Sequence, residues 1–356
     1  MNSLVVQTSF LGDVVLTTPL IAELARRGPV DVLTTPHGAD ILRNNPDIRC
    51  ILDYDRRKRD SGIAGFARTV SRLRNPPDSG HISSSHPTAV GSYDVAYLAQ
   101  GSWRSALLTA ASGISRRVGF NTSEGSRLYT DRVEYRADKH HAERLWWLAM
   151  GGRSDAPTPD QIIPRLYPSP ADHVAAETLL REALFDSSRA FVALAPGSAW
   201  GTKRWPFYPE LAVKLAEQMN VVVVGGPSDA TTGDTIVAQL PEGTGVNAAG
   251  RLGILSSAAL IGQAAALVSN DSAPQHLASA MNTPTVCIFG PTVPEFGFGP
   301  LANNSSIAGI DTLACRPCDR HGPQSCPLGH WRCMREVSSS DVLSLLTRTL
   351  SYRASA

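Results

Sequence analysis

The chain of 356 residues carries 33 Lys and Arg against 32 Asp and Glu, a formal charge of +1, and is 42% apolar. So balanced a charge gives no global field for holding nucleic acid or an anionic membrane, and the length fits two compact domains better than one enlarged core. The 29 glycines and 25 prolines are scattered and only 18% of residues are charged, which excludes collagen, coiled coil and global disorder.

The opening MNSLVVQTSFLGD has no basic lead and no signal-length apolar stretch, and no run approaches the roughly 18 to 20 apolar residues that cross a bilayer, so the expected location is cytosolic. Short β-branched runs at 4–7, 30–33, 50–52 and 94–98 read as buried parallel strands, with a helix-period segment at 14–26. Residues 75–92, rich in Ser, Pro and His, read as a surface insertion whose two histidines, His81 and His86, follow from loop composition. Lys139-His140-His141-Ala142-Glu143-Arg144 reads as a helical face with its charges in water. Residues 151–170 carry five prolines and no sustained periodicity, which places the break between two halves there. Beyond it, strand-like runs at 191–195, 221–224, 266–269 and 285–289 alternate with helical periods at 208–218, 255–264 and 274–281. A closing helix at about 341–352 ends the chain. Alternation βαβα in both halves predicts an α/β protein with an open, doubly wound parallel sheet made twice.

Three loops stand out. After the first strand, Ser9-Phe10-Leu11-Gly12-Asp13 lacks the GxGxxG of a dinucleotide fold. In the second half, Gly197-Ser198-Ala199-Trp200-Gly201-Thr202-Lys203 fails the GxxxxGK[ST] spacing of a nucleoside triphosphatase, yet it offers glycine-exposed amides and a lysine point charge, or else a turn with an exposed Lys. Farther on, Ser269-Asn270-Asp271-Ser272-Ala273-Pro274-Gln275-His276 follows a strand and opens a helix; it is a place for an anion or a sugar hydroxyl, or an ordinary N-cap with Pro274 in the first turn. Asp13 has the same alternative as a cap. Jointly, Asp13, Lys203 and Asp271 to His276 all lie just past strand carboxyl ends, where open sheets bind ligands, and two such sheets facing one another would gather them around one cleft.

These residues resemble glycosyltransferase family nine, the bacterial lipopolysaccharide heptosyltransferases. The motifs are GDVVLTTP at 12–19, RRVGF at 116–120, PGSAWGTKRWP at 196–206, GGP at 225–227, SNDSAPQHLA at 269–278 and IFGPT at 288–292. The tail CRPCDRHGPQSCPLGHWRCM at 315–334 is similar to the cysteine-rich segment of the heptosyltransferase II branch. The resemblance implies a GT-B architecture of two facing Rossmann-like domains with parallel sheets. Residues 1–160 would hold the acceptor, and residues 161–356, with the cysteine-rich segment 315–333, the nucleotide sugar. It implies ADP-L-glycero-β-D-manno-heptose as donor, a lipid-borne lipopolysaccharide inner core already bearing one heptose on Kdo-lipid A as acceptor, and inversion at the anomeric centre. No nucleic acid is expected. Peripheral contact with the cytoplasmic face of the inner membrane is, although no amphipathic anchor stands out. Where the family often has Thr and Gly, this chain has Ser272 and Ala273, which leaves less room for close backbone approach.

Inversion in one displacement needs a base on the acceptor hydroxyl, and a carboxylate ionised at neutral pH serves; Asp13 is the candidate. Lys203, the helix start from Ser272 to Gln275 that offers its amides with Ala273 and Pro274 in the first turn, and Ser198 or Thr202 are candidates for the departing ADP, a role for which no cofactor is required. Asp271 and His276 would hydrogen-bond heptose or phosphate, Leu252 would touch adenine, and Asp229 after GGP would take the ribose. For an anionic acceptor the candidates are Arg56, Arg57, Lys58 and Arg59, the densest basic run, and Arg117; a solvated helix entrance is the alternative for the run. The cysteines Cys315, Cys318, Cys326 and Cys333, spaced C-x2-C-x7-C-x6-C with His321 and His330 interleaved, suit a structural zinc in ligand type, though the last two intervals form no second CxxC pair. A packed loop of reduced thiols and a disulfide pair are the alternatives. Two other functions fit the sequence: a family-nine transferase for another nucleotide sugar, and a noncatalytic nucleotide-sugar or metal-binding module.

Overall fold

A computed structural model describes residues 1–76, 92–152, 155–183 and 188–351. The expected insertion therefore lies, with His81 and His86, outside the described residues except at its ends. The chain divides into two compact units, Met1–Tyr167 and Pro168–Ala356. Among the described residues no helix is long and apolar enough to cross a membrane.

In the first unit, strands β1 (Ser3–Gln7), β2 (Val30–Thr34), β3 (Cys50–Asp53), β4 (Val95–Leu98), β5 (Arg116–Phe120) and β6 (Asp131–Val133) form one sheet in the order β3-β2-β1-β4-β5-β6. Every pairing is parallel. Helices α1 (Leu11–Leu16), α2 (Thr18–Ala25), α3 (Pro36–Leu42), α4 (Gly62–Arg74), α5 (Trp103–Ala111), α6 (His141–Met150) and the short α7 (Pro159–Ile162) cover it. Strands β1 and β2 are buried at every position, as a parallel sheet covered on both faces requires. Each fully buried Val or Leu contributes about 1.5–3 kcal/mol.

The single helix expected over 14–26 is two. Pro19 has no amide hydrogen for the carbonyl of Val15, and Thr18 Oγ1 donates to that carbonyl instead (2.8 Å). The chain turns at Thr17, whose amide bonds Val14 in a tighter turn, and α1 is left as a short helix with Asp13 in its first turn.

The second unit repeats the plan. Strands β7 (Phe191–Ala195), β8 (Asn220–Val223), β9 (Gly245–Asn247), β10 (Ala266–Asn270), β11 (Thr285–Phe289) and β12 (Ser306–Gly309) run in the order β12-β11-β10-β7-β8-β9, all parallel. Helices α8 (Pro170–Glu182), α9 (Tyr208–Ala216), α10 (Ala230–Val237), α11 (Ile254–Gln263), α12 (Ala273–Met281), α13 (Arg332–Arg335) and α14 (Ser339–Ser351) flank it. Counted from each unit's first strand, both sheets have the order 3-2-1-4-5-6. The connections reverse direction between β1 and β4 in one and between β7 and β10 in the other, which are the points where open sheets leave a crevice for ligands.

Candidate functional site

In the first unit the chain leaves β1 at Gln7 and enters α1 through Thr8, Ser9 and Phe10. Phe10 occupies the helix N-cap position with no side-chain capping bond, so Asp13, three residues on, is not the ordinary cap that its position allowed. Its Oδ2 accepts from Ser9 Oγ (2.7 Å). That same hydroxyl lies 2.7 Å from Oε1 of the buried Gln7, whose Nε2 donates to Thr17 Oγ1 (3.1 Å). Thr17 Oγ1 in turn donates to the main-chain oxygen of Asp13 (2.7 Å). From α6, Nε2 of the buried His141 stands 3.8 Å from Asp13 Oδ1. Asp13 itself is half-buried: held by a network, yet reachable. Nothing in the sequence marks Ser9, Gln7 and His141. His141 and Arg144, expected on a solvated face, are both buried, with Arg144 Nε donating to Arg136 O (2.8 Å) and NH1 to Tyr135 Oη (2.7 Å).

The basic run forms the turn after β3. Asp55 Oδ1 accepts from the amides of Arg57 (3.2 Å) and Lys58 (3.1 Å), and the side chains of Arg56, Arg57 and Lys58 are exposed. Arg59 differs from its neighbours: it pairs with Asp53 (3.0 Å) and with the buried Asp60 (3.0 Å). Burial alone would raise the Asp60 carboxyl, but the Arg59 guanidinium and the Asp55 amide hold it below the usual carboxylate range. Arg59 is thus already neutralised. Arg117 departs from expectation in place as well as in pairing. It is the second residue of the parallel strand β5, so it stands at the sheet edge opposite Asp13, and its guanidinium donates to Leu128 O (2.7 Å) and Ile114 O (2.5 Å).

In the second unit, loops after β7, β8, β9, β10 and β11 converge. Lys203 Nζ, buried, donates to Asp271 Oδ2 (2.6 Å). The same oxygen accepts from Thr292 Oγ1 (2.7 Å), and Oδ1 accepts from Nε2 of Gln275 (2.9 Å). Lys203 is therefore not the exposed lysine of a plain turn. Thr292 and Gln275 thus complete the cluster around Asp271. Ser272 stands at the N-cap of α12 but makes no capping bond; its hydroxyl reaches Gly197 O (3.3 Å), leaving the first-turn amides of Ala273 and its successors without that side chain. Pro274 fills the first turn and His276 is buried one turn into the helix.

Asp229 Oδ2 accepts from the Gly226 amide (2.9 Å). Gly197 packs so closely on Asp229 that a Cβ there would lie 2.4 Å from Oδ2, which is why that loop needs glycine. Gly250, at φ +74°, donates to Gly225 O (3.1 Å) and brings half-buried Leu252 beside the same loops.

The cysteine-rich segment clasps this site from one side. The amide of Thr202 donates to Pro323 O (3.3 Å), as does its hydroxyl, so the buried Thr202 side chain is turned to the clasp and not toward a ligand. Gln324 accepts from the Gly201 amide (3.0 Å) and donates to Ala199 O (3.0 Å). Trp200 stacks on His321, centroids 5.9 Å apart at 16°. Ser198 Oγ accepts from the Trp200 amide (3.2 Å).

Cys333 lies in the core with Val337 and Leu346, and burial, with Cys318 nearby, pushes its thiol up to about 11. Burial and Cys315 raise Cys318 too. At Cys326 burial acts upward, but amides from Trp331, Leu328, His330 and Gly329 outweigh it and lower the thiol. Cys315 Sγ is 3.8 Å from His330 Nε2. Among the described residues no three or more His, Cys, Asp or Glu are placed to hold a metal ion, so a structural zinc, one of the three readings of these cysteines, finds no ligand set.

Several known proteins similar to this chain fall in one family. The model of glycosyltransferase family 9 (heptosyltransferase) matches residues 89–329. Lipooligosaccharide heptosyltransferase 2 of Haemophilus influenzae is 26% identical over 346 residues, 90% of this chain and 93% of its own. The glycosyl transferase family 9 from Veillonella parvula has a similar structure, with TM-score 0.83 at 17% identity, covering 99% of this chain and 97% of that one. The ADP-heptose LPS heptosyltransferase II of E. coli gives TM-score 0.75 at 24% identity, over 99% and 100%.

Proposed function

Because the chain belongs to glycosyltransferase family 9, the heptosyltransferases, and is a glycosyltransferase of GT-B fold, we propose that it moves L-glycero-D-manno-heptose from ADP-heptose to the heptosylated Kdo-lipid A inner core of lipopolysaccharide, with inversion. The observation that carries the reading is the buried Lys203–Asp271 pair among the glycine-rich loops of one sheet, together with a hydrogen-bonded Asp13 at the corresponding point of the other.

In this reading Asp13 takes the proton of the acceptor hydroxyl as that oxygen bonds to the anomeric carbon. The bond from the anomeric carbon to the β-phosphate oxygen breaks, and ADP leaves with its new charge met by Lys203 and the amides that open α12. Gly197, Gly225 and Leu252 shape the nucleotide pocket, and Arg56, Arg57 and Lys58 meet acidic groups of the acceptor. The second unit is the nucleotide-sugar half and the first the acceptor half.

The test is incubation with ADP-heptose and heptosylated acceptor followed by mass measurement. The acceptor gains one heptosyl mass, and Asp13→Ala binds ADP-heptose as before but yields no product. Unchanged acceptor mass with the native protein favours a noncatalytic module, gain from another nucleotide sugar reassigns the donor, and retained turnover in Asp13→Ala removes Asp13 as the base.

A further inference from the structure

Three buried side chains converge on the buried Asp271, and only Lys203 among them is charged. Asp271 Oδ2 takes two donors, Lys203 Nζ (2.6 Å) and Thr292 Oγ1 (2.7 Å), while Oδ1 takes Gln275 Nε2 (2.9 Å). Were the lysine to leave, each carboxylate oxygen would still hold one neutral donor. A buried carboxylate stripped of its cation is costly unless other donors stay on it, so the two neutral donors decide whether the pair can open. Gln275 stands one helical turn after Asp271, and its Oε1 has no partner among the described residues, so the bond to Asp271 is what orients that amide. The flipped amide would set oxygen against oxygen.

Thr292 follows β11, and its main chain is pinned by the cysteine-rich segment. The buried guanidinium of Arg316 donates through Nη2 to Phe289 O (3.0 Å) and to Thr292 O (3.0 Å), and the Cys318 amide donates to Pro291 O (2.9 Å). The same segment grips the loop of Lys203 through Pro323 and Gln324. It therefore reaches both partners of one carboxylate oxygen: the loop that brings the cation and the loop that brings the hydroxyl. From this arrangement we propose that Thr292, aided by Gln275, is a positioning residue that makes the Lys203–Asp271 pair separable. Lys203 Nζ, keeping its proton, moves from the carboxylate to the diphosphate of an arriving nucleotide, and Asp271 retains one donor on each oxygen. The inference rests on the second unit being the nucleotide-sugar half.

The experiment compares the full-length native protein with Thr292→Val, which keeps the shape and removes the hydroxyl, and with Thr292→Ser, which restores it. Two readouts are taken. One is the rate at which formaldehyde and a borane methylate Lys203 in the unliganded protein, read by peptide mass against the exposed Lys58; the other is ADP affinity by calorimetry. In Thr292→Val the lysine is held more tightly, so its methylation slows at least fivefold relative to Lys58 and ADP binds about tenfold more weakly. Thr292→Ser returns both to within about twofold of native. A merely structural role predicts the opposite sign, because a loosened loop exposes Lys203 and speeds its methylation. Faster or unchanged methylation in Thr292→Val, or a Thr292→Ser as impaired as Thr292→Val, overturns the proposal. Should Thr292→Val fail to fold, Gln275→Met, which removes the donor on the other oxygen, is read by the same two signs. A native protein that binds no ADP removes the nucleotide reading, and one that binds ADP but transfers no heptose removes the assigned reaction; in both cases the methylation ratio still decides whether Thr292 lets the pair open.

Discussion

Ser9 illustrates how a single hydroxyl holds a carboxylate in place. It stands four residues before Asp13 at the end of β1, with one proton set between Gln7 Oε1 and Asp13 Oδ2. A hydrogen bond to a carboxylate is worth about 1.5–3 kcal/mol, and here it also selects the rotamer of Asp13. Ser9→Ala should lower kcat about tenfold or more with the donor KM near native, whereas Ser9→Thr, which keeps the hydroxyl, should recover most of the rate. Steady-state kinetics on both variants decides it, and a loss confined to KM removes Ser9 from this role. The positions of Asp13, Lys203 and Asp271 just past strand ends were legible because loop, charge and strand end coincide in the sequence. Ser9, Gln7 and His141 were not, since nothing in their spacing announces that a polar side chain is buried and satisfied. Arg117 misled for the complementary reason: a strand's charge is visible in the sequence, but which end of the strand carries it depends on where the pairing starts.

At the scale of elements, strands with continuous apolar runs such as Phe191–Ala195 and Thr285–Phe289 were legible because burial on both faces allows little else. The edge strands Asp131–Val133, Gly245–Asn247 and Ser306–Gly309 pair on one side only, carry less apolar demand and left no pattern. The Arg-Arg start of Arg116–Phe120, an interior strand, breaks its apolar run and blurs where it begins. The cysteine-rich segment, whose spacing leaves a zinc site, a packed loop of thiols and a disulfide pair open, is in structure a clasp, its contacts falling on the loop that ends in Lys203. The Gly201 site is so tight that a Cβ would lie 2.2 Å from Gln324 O. Gly201→Ala must therefore push the clasp away, and Gln324→Ala removes two partially solvated bonds, each worth about 1 kcal/mol. Both should weaken ADP binding about fivefold by calorimetry. Native affinity in both would mean that the clasp does not position Lys203.

Across the whole molecule, one strand order serves twice, and the two sites fall at the same point of each copy. The alternation of strands and helices made this doubling readable, while the use of one copy for an acid and the other for a cation is written only in the loops. A ligand that binds the native second unit adds RT ln(1 + [L]/Kd) to its stability, about 2.7 kcal/mol at a hundredfold excess over Kd. ADP should therefore raise the melting temperature where UDP at the same concentration does not, and equal shifts by both would contradict the adenine assignment. The buried lysine brings a last consequence. With Asp271 as its built-in counter-ion, the resting pocket is electrically quiet. Free inorganic phosphate would have to compete with a carboxylate already in place, so in the proposed reading the cation is reserved for a guest whose base and sugar are seated first and can deliver their phosphates at close range.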